Sequence, residues 1–261
     1  MRSSTAVFPP AMPRHRSPWR PVIRPVLRSL PLSAALLLAM SMAHAEGGAP
    51  APRPIANAAE LVQQLAVGPA VTLTPIKRIS GCGPKGCSVN VERVSVVRAD
   101  DEKPGELQSS TGAKIRLVEH RPADGRELPD LDWSPLRAFE VHNGKQRWGS
   151  CIEFTHEGLG KSGVQQRWTS VVLVPFKGDR PGTTAHRFVG YWAGCESLRG
   201  AEKAQAVTLP LVEPAAAGAA HPLHLMQYAC TRESCTGRED PRPVKGDPGS
   251  TTGELMIGAA P

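Results

Sequence analysis

Residues 136–156 read LRAFEVHNGKQRWGSCIEFTH, two alternating apolar and polar runs hinged at Asn143-Gly144. Both central positions of a type I′ hairpin turn need positive φ, which Asn and Gly tolerate best, so this pair predicts a two-residue turn. Folding the chain there sets Phe139 opposite Trp148 and Glu140 opposite Arg147. An aromatic pair on one face and opposite charges on the other each stabilise a half-buried hairpin by roughly 0.2–1 kcal/mol. The strands so predicted are 136–142 and 145–156.

The period of two continues on both sides. Further strands are expected near 71–80, 88–98, 113–121, 165–177, 184–195, 204–213, 222–230 and 253–258. The breaks carry turn chemistry, as in Gly83-Pro-Lys-Gly86, Lys103-Pro104-Gly105 and the run Lys177 to Thr183. Ahead of them, Asn57-Ala-Ala-Glu60 resembles a capped helix start, with Ala58, Leu61, Val62 and Leu65 at helical spacing and Gly68-Pro69 as the stop. The expected fold class is therefore mainly β: an antiparallel sandwich or partly closed barrel of about nine strands with one short N-terminal helix. If the next two hairpins pair residues with even sums, one face collects Trp148, Ile152, Phe154, Trp168, Val172, Val174, Phe176, Phe188 and Trp192. The reverse face is mixed and needs cover from the helix or a second sheet.

Before this region the sequence changes character. Six arginines between Arg2 and Arg28 precede an apolar core, Leu30 to Met42, and then Ala43-His44-Ala45. That order is the signature of a cleaved export signal over residues 1–45, with 46–54 as a flexible tether and 55–258 as a single stapled domain. The apolar core is too short to span a bilayer, so no transmembrane span is expected after cleavage. Without those arginines the formal charge of +7 falls by six, to +1. A nucleic-acid partner, which the whole-chain charge would otherwise invite, is thereby excluded. The expected address is the periplasm or the extracellular medium.

All six cysteines follow the signal, and an even count in an oxidising compartment reads as disulfides. Spacing favours Cys82–Cys87, Cys151–Cys195 and Cys230–Cys235, the two Cys-x₄-Cys loops placing their sulfurs across hairpins. The 151–195 bridge conflicts with a plain meander. Two strand spacings of about 4.8 Å would hold those Cα atoms near 10 Å apart, whereas a disulfide spans roughly 4.4–6.8 Å. The bridge is retained and the meander doubted. Metal or redox use of these cysteines weighs less than stapling, because Cys-x-x-Cys is absent and the two Cys-x₄-Cys loops meet only the outer edge of zinc-ligand spacing. No metal and no cofactor are expected.

Nucleophile signatures fail one by one. No Gly-x-Ser-x-Gly elbow surrounds Ser150, and Gly160-Lys-Ser-Gly163 lacks the earlier glycine of a phosphate loop. His221-Pro-Leu-His224 is the closest histidine pair, but a spacing of three does not align two rings on one strand face. The tryptophans carry the usable hint. Trp148, Trp168 and Trp192, with Tyr191, are candidate ligand-binding residues of an aromatic concavity, weighed against ordinary core packing. The function expected first is non-catalytic binding of a small molecule, glycan or protein by an exported or envelope-associated protein. A secreted hydrolase with a dispersed Asp/Glu/His site, or an inhibitor presenting the loop 82–87 or 230–235, are the alternatives.

Overall fold

The computed structural model describes residues 54–55, 58–65, 68–83, 86–98, 105–128, 137–155, 168–201, 205–220, 222–246 and 255–258. The predicted signal, nearly all of the tether, Asn57, the hairpin tip Pro84-Lys85 and residues 156–167 lie outside them. Strands are numbered here in chain order.

The apolar run Val171 to Phe176 lies in β10 (Trp168–Lys177), and its side chains are buried on both faces. β10 is central because it has no polar face to give to water. Spatially the sheet runs β16 (Cys235–Asp240), β15 (Leu223–Cys230), β14 (Val207–Pro214), β12 (Thr184–Tyr191), β10, β9 (Gln146–Thr155), β8 (Arg137–Asn143), β2 (Thr72–Pro75). β12 meets β14 at a single residue pair, Tyr191 with Val212. The rest of that edge of β12 is taken by β7 (Arg116–His120), in the one parallel pairing among the described strands. Two-residue strands β11 (Arg180–Pro181) and β13 (Arg199–Gly200) pair with β10 and β14.

A second sheet is the meander β3 (Arg78–Gly83), β4 (Gly86–Val91), β5 (Val94–Arg98) and β6 (Glu106–Ser109). A third joins β1 (Pro54–Ile55), β18 (Leu255–Ile257) and β17 (Val244–Gly246). The helix α1 (Ala58–Leu65) buries Leu61, Val62 and Leu65, the stripe expected from sequence. The fold is thus mainly β with open sheets and one described helix. There are more strands than the nine expected, because turns split the longer runs. Ile76-Lys77 divides 71–80, and Glu92-Arg93, with Glu92 at φ 59°, divides 88–98.

Burial explains the layering. Val91, Val94, Val96 and Leu107 of the meander pack with Ile152, Phe154, Val172, Val174 and Phe176 on one face of the central sheet. Leu209, Leu211, Tyr228 and Cys230 of β14–β15 fold back to cover Cys151, Val171, Leu173 and Phe188 on the other. A third cluster seats α1 and the small sheet on Val189, Tyr191, Trp192, Val212 and Leu225. The cover expected for the mixed face therefore comes from the sheet's own continuation over Cys151, Val171 and Leu173, and from α1 with the small sheet over Val189 and Tyr191.

The opening hairpin differs from expectation by a step. Its turn is Gly144-Lys145, with Asn143 paired to Gln146 and positive φ (61°) at Gly144 but not at Asn143. Positive φ at only the first central position is the II′ pattern. Asn143 is held in the strand because its side-chain amide donates to the Ala206 carbonyl at 2.8 Å. Phe139 consequently faces Cys151, and Glu140 faces Ser150. A register shift between Val141 and His142 leaves Trp148 unpaired, and its ring enters the β14–β15 core. The next hairpin keeps an even sum, Ile152 opposite Val172, but the third is odd, Val171 opposite Phe188. Trp148 and Phe188 thus leave the face on which the aromatic residues were expected to gather.

The three expected disulfides are present, and the described chain has no free cysteine. The meander β9–β10–β12 also exists, so the doubt cast on it is corrected. The chain leaves β12 at Tyr191, turns at Trp192 (φ 53°), and reaches a single 3₁₀ turn, Cys195–Ser197. Cys195 then meets Cys151 with 5.8 Å between Cα atoms. The bridge passes over the sheet face rather than along it.

Candidate functional site

Strand β3 reads Arg78-Ile-Ser-Gly-Cys-Gly83, and all six residues are exposed. It pairs residue for residue with β4, from Arg78 with Val91 to Gly83 with Gly86, and no described strand pairs with its other edge. Its partner differs: Val89 and Val91 are anchored in the core. Within the hairpin, the Cys82–Cys87 bridge closes the tip across a directly opposed pair. Gly81 and Gly83 add no bulk, since a methyl on either would meet nothing within 4 Å. A hollow of about 500 Å³ lies over this surface, bordered by Ile79, Gly81, Ser88 and Asn90. Ile79 is 62% exposed, the most exposed large apolar side chain described.

Edge strands are normally blunted by charge, proline, bulges or a covering segment, because their free N–H and C=O groups template pairing with another chain. In β3 only Arg78, at the start, is charged. Its central residues present bare backbone beside one branched apolar side chain, the arrangement that accepts an added strand.

The second stapled loop is built differently. Arg232 turns back, donating to the Arg147 carbonyl at 3.1 Å, while Glu233 stays exposed. Thr231 satisfies the loop backbone, accepting from the N–H groups of Glu233 and Ser234.

Of the sequence-predicted aromatic residues, Tyr191 and Trp192 share one cluster and Trp148 lies in another. Trp148 is wholly buried in the β14–β15 core, donating from Nε1 to the Gln205 carbonyl at 3.2 Å. Tyr191 and Trp192 lie in the cluster under α1. Trp168 pairs through its backbone with Tyr191, and its side chain lies outside the described residues. Neither Trp148, Tyr191 nor Trp192 lines the hollow over β3. Nor do they line a cleft of about 520 Å³ between the meander and β11, bordered by Arg93, Ser109, Thr111, Lys114 and Arg180. Two cations of that cleft are already engaged, Arg93 with the Asp179 carbonyl and Lys114 with Glu106 at 2.7 Å.

Sequence reasoning missed a buried polar constellation where the ends of β7 and β14 approach each other along one edge of β12. His120 Nε2 lies 3.1 Å from His186 Nδ1, and the His120 ring stacks on Phe188 at 4.5 Å. Burial, then the neighbouring His186, pushes His120 down to about 4; burial, then Arg116, lowers His186. Tyr228 donates to Glu213 Oε1 at 2.8 Å. Burial drives Glu213 up to about 7, against the pull of that hydrogen bond, with Asp124 adding to the rise. Burial and Glu213 raise Tyr228 as well. Such shifted pairs occur in acid–base sites, but Glu213 is 1% exposed and neither cleft above includes it. No local motif marks these residues, because His120 and His186 come from strands paired across the fold. Comparison with protein-family models, curated proteins and solved structures finds no match.

Proposed function

We propose that this chain is an exported, non-catalytic binding protein that takes an extended segment of a partner protein as an added strand on β3. The observation that carries this reading is a stapled edge strand exposed along its whole length and capped by Ile79. A flat, unblunted edge persists in a protein that avoids aggregation when it has a use. Main-chain hydrogen bonds supply affinity there, and the hollow beside Ile79 supplies side-chain choice. The basic segment, apolar core and Ala-His-Ala of residues 1–45 support export, and three disulfides suit an oxidising compartment, periplasmic or extracellular. No helix of the described residues is long and apolar enough to cross a membrane.

Inhibition of a secreted enzyme is one case of the same reading, with the hairpin 78–91 as the presenting element. The loop 230–235 suits it less, since Arg232 is folded inward. A hydrolase reading would lean on Glu213 and Tyr228, which are sealed from solvent. Panning a library of extended peptides against the protein tests the proposal. Binders enriched in β-branched residues should lose affinity at least ~10-fold against Ile79→Lys, a change of about 1.4 kcal/mol. The melting temperature of that variant should stay unchanged, because the side chain is exposed. Binders indifferent to Ile79→Lys would remove β3 as the site.

A further inference from the structure

The interior polar constellation holds a second feature, independent of β3. His120 on β7 and His186 on β12 point from parallel neighbours into the layer that β15 and β16 cover, where Cys230 and Cys235 pair directly across the two strands. One ring nitrogen of each histidine and the Cys235 sulfur all lie within 4.8 Å of one another. Cys230 Sγ, outside that set of three, is bonded to the Cys235 sulfur and offers a fourth donor beside it. His186 faces His120 through Nδ1, and its other ring nitrogen, Nε2, is buried with no hydrogen-bond partner among the described residues.

We infer that reducing the Cys230–Cys235 bridge converts this cluster into a Cys₂His₂ site for a zinc-type divalent cation. Two histidines and two thiolates are the donor set that zinc takes in closed tetrahedral sites, with Zn–N of about 2.0–2.1 Å and Zn–S of about 2.3 Å. Those bond lengths require ligand atoms roughly 3.3–3.8 Å apart. The two ring nitrogens that face each other already stand at 3.1 Å and the Cys235 sulfur lies within 4.8 Å of a ring nitrogen of each histidine, while the two sulfurs part once the bond between them is broken. While the bridge is closed, neither sulfur is a thiolate and the site has only its histidines.

The conversion balances with a dithiol as reductant. The disulfide takes two electrons and two protons and becomes two thiols, while the dithiol closes to its own disulfide. Binding the cation then releases both thiol protons to solvent. Access favours this bridge over the central one, since Cys235 is half-buried whereas Cys151 and Cys195 are wholly buried.

The test uses the full processed chain under anaerobic conditions, oxidised or treated with a dithiol until Cys151–Cys195 alone survives, as read by mass after alkylation. Cobalt(II) serves as the spectroscopic probe and zinc as the competitor. The partly reduced protein should bind one cobalt per chain with sulfur-to-metal charge transfer and tetrahedral bands, and the oxidised protein should show neither. His120→Ala or His186→Ala should weaken binding by more than the ~10–100-fold that outer-shell changes cost, while Cys82→Ser with Cys87→Ser should leave it intact. In the unmodified chain, zinc should shield Cys230 and Cys235 from alkylation but not Cys82 and Cys87. That arm needs no variant to fold. Equal binding by the oxidised protein, binding unaffected by loss of both histidines, or no protection of Cys230 and Cys235 would each overturn the assignment.

Discussion

Glu153 has a job that its place in an alternating strand does not advertise. Its carboxylate is 1% exposed and accepts from the Cys195 backbone N–H at 2.6 Å and from Arg137 Nε at 2.6 Å. Arg137 also reaches Glu196 at 2.7 Å, so one carboxylate and one guanidinium pin the crossing turn from both sides. Glu153→Ala strands a buried donor and should cost about 1–3 kcal/mol, measured as a fall in the urea midpoint with the disulfide intact. Glu213 sets a pH dependence of the opposite kind. Held near 7 when folded against 4.5 as its reference, it binds its proton more tightly in the native state. Its stabilising contribution is complete below about 4.5 and is lost as pH rises through 7, on the order of 3 kcal/mol for a shift of that size. Urea midpoints across that window should fall less steeply with pH in Glu213→Gln than in the parent. His120 works against it: lowered to about 4, it contributes fully above about 6.5, and that contribution is lost as pH falls toward 4.

Elements are joined through glycines used in two distinct ways. Gly144 turns the 137–155 hairpin at φ 61°, with open space where a side chain would go. Gly68, which follows α1, has φ 59° and also lies against the Gly200 carbonyl, 2.3 Å from where a Cβ would sit. Gly144→Ala should therefore cost roughly 1 kcal/mol of backbone strain, and Gly68→Ala distinctly more, as separate shifts in thermal midpoint. Strand positions were readable in the sequence wherever alternation and turn residues are local, as at 137–155 and 223–230. Register was not. The side-chain bond of Asn143 to Ala206 moved the first turn, and the parity of β10 with β12 is fixed together with β7 and the 178–183 turn, from outside the alternating pattern. Trp148 was parted from Tyr191 and Trp192 for that reason, since one slipped residue sends a ring to the opposite face. The β3 edge was foreshadowed only as a stapled loop. Its exposure depends on which sheet it joins, and no local pattern records that.

At the scale of the molecule, three layers meet on a central sheet that is apolar on both sides, and the disulfides act unequally on it. The Cys151–Cys195 bridge closes a long loop, and chain-entropy models give it about 4 kcal/mol against about 2 for each Cys-x₄-Cys staple. Calorimetry of paired Cys→Ser variants should rank them in that order, with the 82–87 pair perturbing the core least. The parallel seam between β7 and β12 has a further consequence, for the order in which the molecule assembles. Residues 78–109 can close as a local meander as soon as they emerge. His120's strand, by contrast, stays unclaimed until Thr184–Phe188 arrive, after two intervening hairpins have been laid down. Such distant pairing makes for slow acquisition of the native state. A chain released vectorially, amino end first, would thus pass through a stage with one sheet finished and a naked seam beside it, the moment at which it most needs a chaperone.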